Sequence, residues 1–143
     1  MKQVASGRRE VAVIERPPEW VRLVGLAAFD RREPEVRVAD LEYDSLMSHT
    51  EVPAGTRLLR FATEQEDVSV TVNATGMSVS LAIAIVPARL VRVDVRPIHG
   101  PVKHAWTDGH GRVTAGDVPA GPLSILVHWP PPIGPVRTAW IQV

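Results

Sequence analysis

The sequence contains no cysteine, only two lysines and no net charge. Without cysteine, a disulfide framework, a thiolate metal site and a cysteine nucleophile are all excluded. The 16 basic side chains are balanced by 16 acidic ones, whereas a protein that binds nucleic acid broadly needs a cationic excess to release counterions from the phosphates. Composition therefore predicts a protein with no nucleic-acid partner and no thiol chemistry.

A long apolar run is also missing. The longest apolar-rich segment, residues 77–90, is interrupted by two serines, a proline and an arginine, so it is too short and too polar to span a bilayer. Residues 1–16 hold no uninterrupted apolar core, and we do not expect a signal peptide. Since a small secreted scaffold would more often carry cysteines, we expect a cytoplasmic protein with no membrane partner.

What is present begins with a short helical pattern. The 143 residues fit one domain, which we place at 17–143 after a flexible arm at 1–16. A helix is predicted near 18–31, because Trp20 and Leu23 share one helical face with Val24 and two alanines. This apolar face either packs against the rest of the domain or docks another protein.

An acidic segment follows. Between Glu19 and Glu51 there are eight acids and four arginines. Residues 40–46 alternate and suit an extended strand, which is either an edge strand with a solvated acidic face or a docking strand for a basic partner. Period-2 spacing places Glu42 and Asp44 on one face, but no histidine or apolar pocket residue is near in sequence to tune them for catalysis.

The remainder of the chain alternates between apolar and polar residues, with turns rich in glycine and proline. Strands are predicted near residues 56–63, 68–72, 77–85, 91–96, 102–107, 112–114, 123–127 and 136–143. Short strands at about ten-residue spacing indicate a mainly β protein, an antiparallel β-sandwich of seven or eight strands.

One predicted strand carries alternating charges. In 91–96, three valines point to the core, and Arg92, Asp94 and Arg96 point the other way. We expect this charged face to be exposed, with ion pairs worth about 0–1 kcal/mol each.

The central segment resembles a known family. T-D-G-H-G-R-V followed by V-P-A-G-P-L-S-I-L-V is similar to the carboxypeptidase-regulatory-like, transthyretin-like sandwich family, with Val113 at a position where that family often has Phe. The residues that carry the likeness are Thr107, Asp108, Gly111, Val113, Pro119, Gly121, Leu123, Ile125 and Val127. The resemblance implies a fold and says little about activity.

The wider layout of 18–143 is similar to small actinobacterial proteins encoded beside extracytoplasmic-function sigma factors. That resemblance implies an accessory or regulatory role through protein contacts. Transthyretin-like folds also include 5-hydroxyisourate hydrolases, which end in Y-R-G-S, whereas this chain ends in T-A-W-I-Q-V. We do not expect that activity.

The histidines give no metal pattern. His99, His104 and His110 are separated by five and six residues, which are not zinc-site spacings, and we read them as loop or solvated histidines. Trp106 lies beside them and belongs either to the core or to a surface that binds sugars. If the protein were an enzyme, His99, His104, His110 and Asp108 would converge in one pocket.

The sequence as a whole favours a non-enzymatic protein-interaction module without cofactor or metal. Residues 17–55 are net acidic and residues 87–143 net basic, so the acidic segment would steer a basic protein partner. The predicted partner-binding residues are Trp20, Leu23, Asp40, Glu42, Tyr43 and Asp44. The alternative is a small-ligand or carbohydrate-binding sandwich, which would expose Trp106 or Trp129.

Overall fold

The computed structural model describes residues 36–47 and 52–143, together with Glu19 and Val21. These residues form ten strands and one short 3₁₀ helix, so the protein is mainly β, as predicted. The elements are β1 (Arg37–Asp44), η1 (Ser45–Met47), β2 (Thr56–Ala62), β3 (Asp67–Thr75), β4 (Ser78–Val86), β5 (Arg92–Pro97), β6 (Lys103–Trp106), β7 (Arg112–Pro119), β8 (Pro122–His128), β9 (Pro135–Thr138) and β10 (Ile141–Gln142). Within this described part of the chain, no helix is long and apolar enough to cross a membrane.

The β3–β4 hairpin shows why these segments form strands. Val68 pairs with Ile85, and Val70 pairs with Ile83, in an unbroken antiparallel register. All four side chains are buried, because period-2 alternation places every second residue on the core face. Gly76 closes the hairpin with φ of 68°, a conformation that residues with a Cβ rarely adopt.

The strands hydrogen-bond into one mixed sheet. The order is β6-β5-β8-β9-β1-β2-β3-β4-β7, and β10 pairs with β8 beside this path. All neighbours are antiparallel except β1 and β9, which run parallel. The end strands β6 and β7 contact each other, so the sheet is nearly closed into a barrel.

This architecture differs from the predicted seven- to eight-stranded antiparallel sandwich, which is not confirmed. Alternation along a strand says which face is buried but not which strands are neighbours, so it could not show that β1 joins the two halves of the sheet through β9. The last predicted strand, 136–143, is divided into β9 and β10 by Ala139 and Trp140.

The core lies inside the curved sheet. It is built from the inward residues of β2, β3 and β4 on one side and of β5, β8 and β9 on the other. Its largest fully buried side chains are Phe61, Leu81, Ile83, Ile85, Leu123 and Ile125. Burial of each such side chain contributes about 1.5–3 kcal/mol before entropy is counted.

A β-bulge in β1 changes which acidic residues face outward. Leu41 pairs with Phe61 and Tyr43 with Arg60, so Glu42 is the extra residue. Beyond it, Asp44 lies opposite the buried Leu59, because an inserted residue reverses the alternation. The prediction that Glu42 and Asp44 share one face is therefore wrong.

The helix predicted near 18–31 and the flexible arm at 1–16 lie outside the described residues, apart from Glu19 and Val21. These two positions have helical backbone and exposed side chains. Two separate positions do not define an element, and the N-terminal helix stays a prediction.

Candidate functional site

The candidate site is built on the β5–β6 hairpin and its neighbour β8. The hairpin register places Asp94 opposite His104 and Arg92 opposite Trp106, and opposed residues have their side chains on the same face of a sheet. On the other side of β5, His128 at the end of β8 reaches the same carboxylate. The site therefore joins three strands through one acidic residue.

Asp94 is held by three side chains. Its Oδ1 lies 2.6 Å from His104 Nδ1 and 3.1 Å from Arg92 Nε, and its Oδ2 lies 2.7 Å from His128 Nε2. Both Asp94 and Arg96 are buried, with exposed fractions of 5% and 6%. The expected exposed face of β5 is thus wrong at these two positions, although Arg92 is exposed.

The pKa of Asp94 explains its charge state. Burial raises the pKa of this carboxyl, but the hydrogen bonds from His104 and His128 and the positive charge of Arg92 oppose burial and prevail. The pKa therefore lies below its ordinary value of 3.8. Asp94 is ionised at neutral pH and acts only as an acceptor.

The ionised carboxylate fixes the proton positions on both rings. His104 Nδ1 and His128 Nε2 must each carry the proton that they donate to Asp94, an assignment that follows from the hydrogen-bond network. The approach of Arg92 Nη2 to His128 Nε2 at 3.2 Å is then a contact between two donors, and Arg92 bonds to the carboxylate instead. In the neutral rings, His104 Nε2 and His128 Nδ1 remain as acceptors.

A groove of about 410 Å³ lies next to this cluster. Trp106, 64% exposed, forms one wall. The described residues that line the groove are Leu90, Val91, Arg92, Trp106, His128 and Pro130. An exposed indole beside an arginine and a histidine provides a flat apolar surface with a polar edge, which suits a small molecule.

The walls of the groove are fixed by buried hydrogen bonds. Thr107 Oγ1 accepts from the Val91 backbone N–H at 2.8 Å, and the Thr107 N–H donates to the Val91 carbonyl at 2.9 Å. Trp129 is buried, and its Nε1 donates to the Pro87 carbonyl at 3.0 Å. The segments that carry Trp106 and His128 are therefore tied to the chain on either side of Leu90.

The acidic surface predicted to bind a partner is only partly accessible. Asp40 and Glu42 are exposed, and Tyr43 is half-buried. Asp44 is buried, and Arg57 binds both of its oxygens at 3.0 and 2.6 Å. The side-chain hydrogen bond from Arg57 holds the pKa of Asp44 below its ordinary value. Trp20 and Leu23, the predicted apolar anchors, lie outside the described residues.

The convergence of histidines that an enzyme would require is not seen among the described residues. His99 and His110 are exposed on loops, whereas His104 pairs with Asp94. Asp108 accepts the backbone N–H groups of His110 and Arg112 in its own turn. Among the residues that the structure describes, no group of three or more His, Cys, Asp or Glu side chains could hold a metal ion.

Sequence reasoning missed the partnership of Asp94 with two histidines, although one signal was present. A hairpin formed by the predicted strands 91–96 and 102–107 is centred on His99, and Asp94 and His104 lie at equal distances from that residue. The contact with His128 depends on the pairing of β5 with β8, which no local pattern reveals.

Comparison with known proteins identifies no relative: no family model matches the chain, and no curated protein or solved structure is significantly similar to it. The transthyretin-like and sigma-factor-associated resemblances therefore rest only on the sequence motifs that suggested them.

Proposed function

We propose that this protein is a non-enzymatic binding module that takes a small ligand in the groove beside Trp106. The exposure of Trp106 carries the proposal. A large aromatic side chain that is mostly in water is stabilised when a ligand covers it. Arg92 and His128 supply polar atoms at the edge of the same groove.

Binding is favoured over catalysis by the composition of the groove. Its described lining residues include no serine, threonine or lysine that could serve as a nucleophile. His104 and His128 each use one ring nitrogen to hold Asp94. Asp94 thereby orients the side chains around the groove, as a supporting residue does in a binding site.

The proposal is tested by a fragment screen followed by NMR with the intact protein. We expect ligands that shift the side-chain indole signal of Trp106, assigned with Trp106→Phe, and that bind at least about tenfold more weakly to Trp106→Ala. Met77→Ala is the matched control, because Met77 is an exposed apolar residue in the β3–β4 turn, at the far end of β4 from the groove. If every ligand bound Trp106→Ala and Met77→Ala with the same affinity, or if no ligand were found, the groove would not be the site.

A second candidate is the protein-interaction role that the sequence suggested, as a cytoplasmic accessory in a bacterial regulatory system. One observation favours it: the exposed acids Asp40 and Glu42 flank Leu41, and the strongly exposed Leu46 and Met47 follow in η1. Acidic residues around exposed apolar side chains suit a partner whose surface is basic at the rim and apolar at the centre.

The second candidate is tested by charge reversal at the two exposed acids. Asp40→Lys with Glu42→Lys should abolish capture of one stoichiometric protein partner from cell lysate at moderate salt. Glu64→Lys, on the exposed β2–β3 turn, is the control for a change in net charge. Asp44 is unsuitable for this test, because its loss would also leave Arg57 without its buried partner. Equal capture by all variants would exclude this surface.

A further inference from the structure

The charge of the groove narrows the class of its ligand. Arg92 is the only described lining residue with a permanent charge, and its Nε lies 3.1 Å from the ionised Asp94. The pair is neutral as a unit. An anionic ligand would meet an Arg92 that is already paired with the Asp94 carboxylate, so this pair offers no net attraction to negative charge.

The hydrogen-bonding atoms of Arg92 and His128 restrict the class of ligand further. Arg92 presents only donors. His128 uses Nε2 to bond Asp94 at 2.7 Å, so Nδ1 is its remaining polar atom, and Nδ1 accepts in the neutral ring and donates in the charged ring. A ligand that satisfies both residues in either state of His128 must be able both to accept and to donate a hydrogen bond. A hydroxyl group does both, whereas a carboxylate only accepts and a hydrocarbon does neither.

The remaining walls require an apolar face. Trp106, Leu90 and Pro130 present carbon surface, and the face of an indole is electron-rich and attracts the weakly positive C–H groups of a ring laid against it. The volume of about 410 Å³ falls in the range of small-molecule sites, about 300–1,000 Å³. The ligand thus needs an apolar ring face and several hydroxyl groups.

We infer that the ligand is an uncharged saccharide, with the C–H face of one sugar ring stacked on Trp106 and its hydroxyl groups bonded to Arg92 and His128. This inference rests on the proposed ligand-binding function and specifies the chemistry of that same groove. Asp94 acts as a positioning residue, because it holds Arg92 and bonds Nε2 of His128, which leaves Nδ1 as the polar atom for a hydroxyl group.

The test compares matched probes by NMR titration of the intact protein, read at the Trp106 indole signal in the wild type and at the backbone amide signals of Val91 and Arg92 in the wild type and every variant. The uncharged probes are methyl glucoside, methyl galactoside, maltose and cellobiose, followed by a neutral-glycan array. Glucuronic acid is the charged match, and benzyl alcohol is the aromatic match. We expect at least one neutral saccharide to bind saturably, about tenfold more weakly to Trp106→Ala, and unchanged to Met77→Ala.

The outcomes separate the two proposals. If benzyl alcohol, glucuronic acid or screened fragments bind at Trp106 while no neutral saccharide does, the saccharide assignment is overturned and the ligand-binding groove stands. If no probe or fragment shifts the Trp106 signal, both are overturned. Trp106→Ala removes a mostly exposed side chain, and its unfolding midpoint should stay at the wild-type value. Trp106→Phe should retain part of the affinity, since a phenyl ring still stacks.

Discussion

Asp94 and His128 are 34 residues apart in the chain, and their Oδ2 and Nε2 atoms lie 2.7 Å apart. The same carboxylate accepts from His104 on the opposite neighbouring strand. One buried charge therefore links β5 to β6 and to β8, and it orients two residues that line the Trp106 groove. Stability and ligand binding are expected to depend on the same side chain.

Replacing Asp94 by asparagine should destabilise the fold. Asp94→Asn keeps the shape of the side chain but replaces one acceptor oxygen by an amide donor that faces a histidine N–H. We expect the free energy of unfolding to fall by about 1–3 kcal/mol, measured by urea denaturation. Asp67→Asn is the control, because its pair with Arg60, at 3.3 Å, is largely exposed and should contribute less than about 1 kcal/mol. Equal effects at the two sites would mean that burial adds nothing at Asp94.

Acid should weaken the fold through Asp94 and Asp44. The folded-state pKa of each lies below its ordinary value of 3.8. Each carboxylate therefore stabilises the fold fully above its unfolded pKa and loses that contribution as the pH falls through the folded pKa. The stability gap between wild type and Asp94→Asn should shrink as the pH falls from about 5 toward 2. A gap that stays constant to pH 2 would mean that Asp94 is not linked to acid unfolding.

The strands were predictable from the sequence where alternation is strict and both neighbours are local. The β3–β4 hairpin is the clearest case, since its valines and isoleucines repeat with period 2 and a short turn sets the register. In β5 the same rule placed the valines correctly but predicted that Asp94 would be in water. Alternation identifies the face that a residue occupies, and it does not say whether other side chains cover that face.

Long-range strand pairing and a local irregularity are the features of the fold that the sequence did not predict. The parallel contact of β1 with β9 joins residues about a hundred positions apart. The bulge at Glu42 has no signal in the local sequence that would have predicted it. The bulge moved Asp44 from the predicted docking face to a buried pair with Arg57. The sequence left Trp106 either in the core or on the surface, and in the structure its side chain is exposed.

Gly111 should be the least replaceable glycine of the 107–113 turn. Its φ is 74°, and a Cβ placed there would lie 2.9 Å from the Ile85 carbonyl oxygen and 3.0 Å from Ala88 Cα. Gly111→Ala combines backbone strain with a clash against backbone and should cost about 3 kcal/mol or more. Gly109, the other glycine of this turn, is not among the positive-φ glycines.

Alanine variants of two other glycines separate backbone strain from the clash of the added Cβ, in the same thermal or urea measurement. Gly76 has a φ of 68° with no atom within 4 Å of the added Cβ, so Gly76→Ala should cost about 1–2 kcal/mol from backbone strain alone. Gly109→Ala has neither constraint and should change stability by no more than about 0.5 kcal/mol. If Gly111→Ala cost no more than Gly76→Ala, the close approach at Gly111 would be contradicted.

Ser124 and Thr138 should respond in opposite directions when their hydroxyl groups are removed. Both side chains are fully buried. Thr138 Oγ1 accepts the backbone N–H of Ile125 at 2.9 Å, at a point where β8 has passed its pairing with β10 and has not reached its pairing with β9. Ser124 Oγ is buried without a hydrogen-bond partner among the described residues.

Thr138→Val keeps the volume but leaves the Ile125 N–H without an acceptor, so it should lower the free energy of unfolding by about 1–3 kcal/mol. Ser124→Ala removes a desolvated hydroxyl that gains no hydrogen bond in return, so it should be neutral or stabilising by up to about 1 kcal/mol. Urea denaturation of the two variants, with hydrogen exchange at the Ile125 amide, checks both. A clear loss of stability in Ser124→Ala would show that the Ser124 hydroxyl is hydrogen-bonded in solution. Unchanged hydrogen exchange at the Ile125 amide in Thr138→Val would show that the Thr138 side chain does not protect that amide.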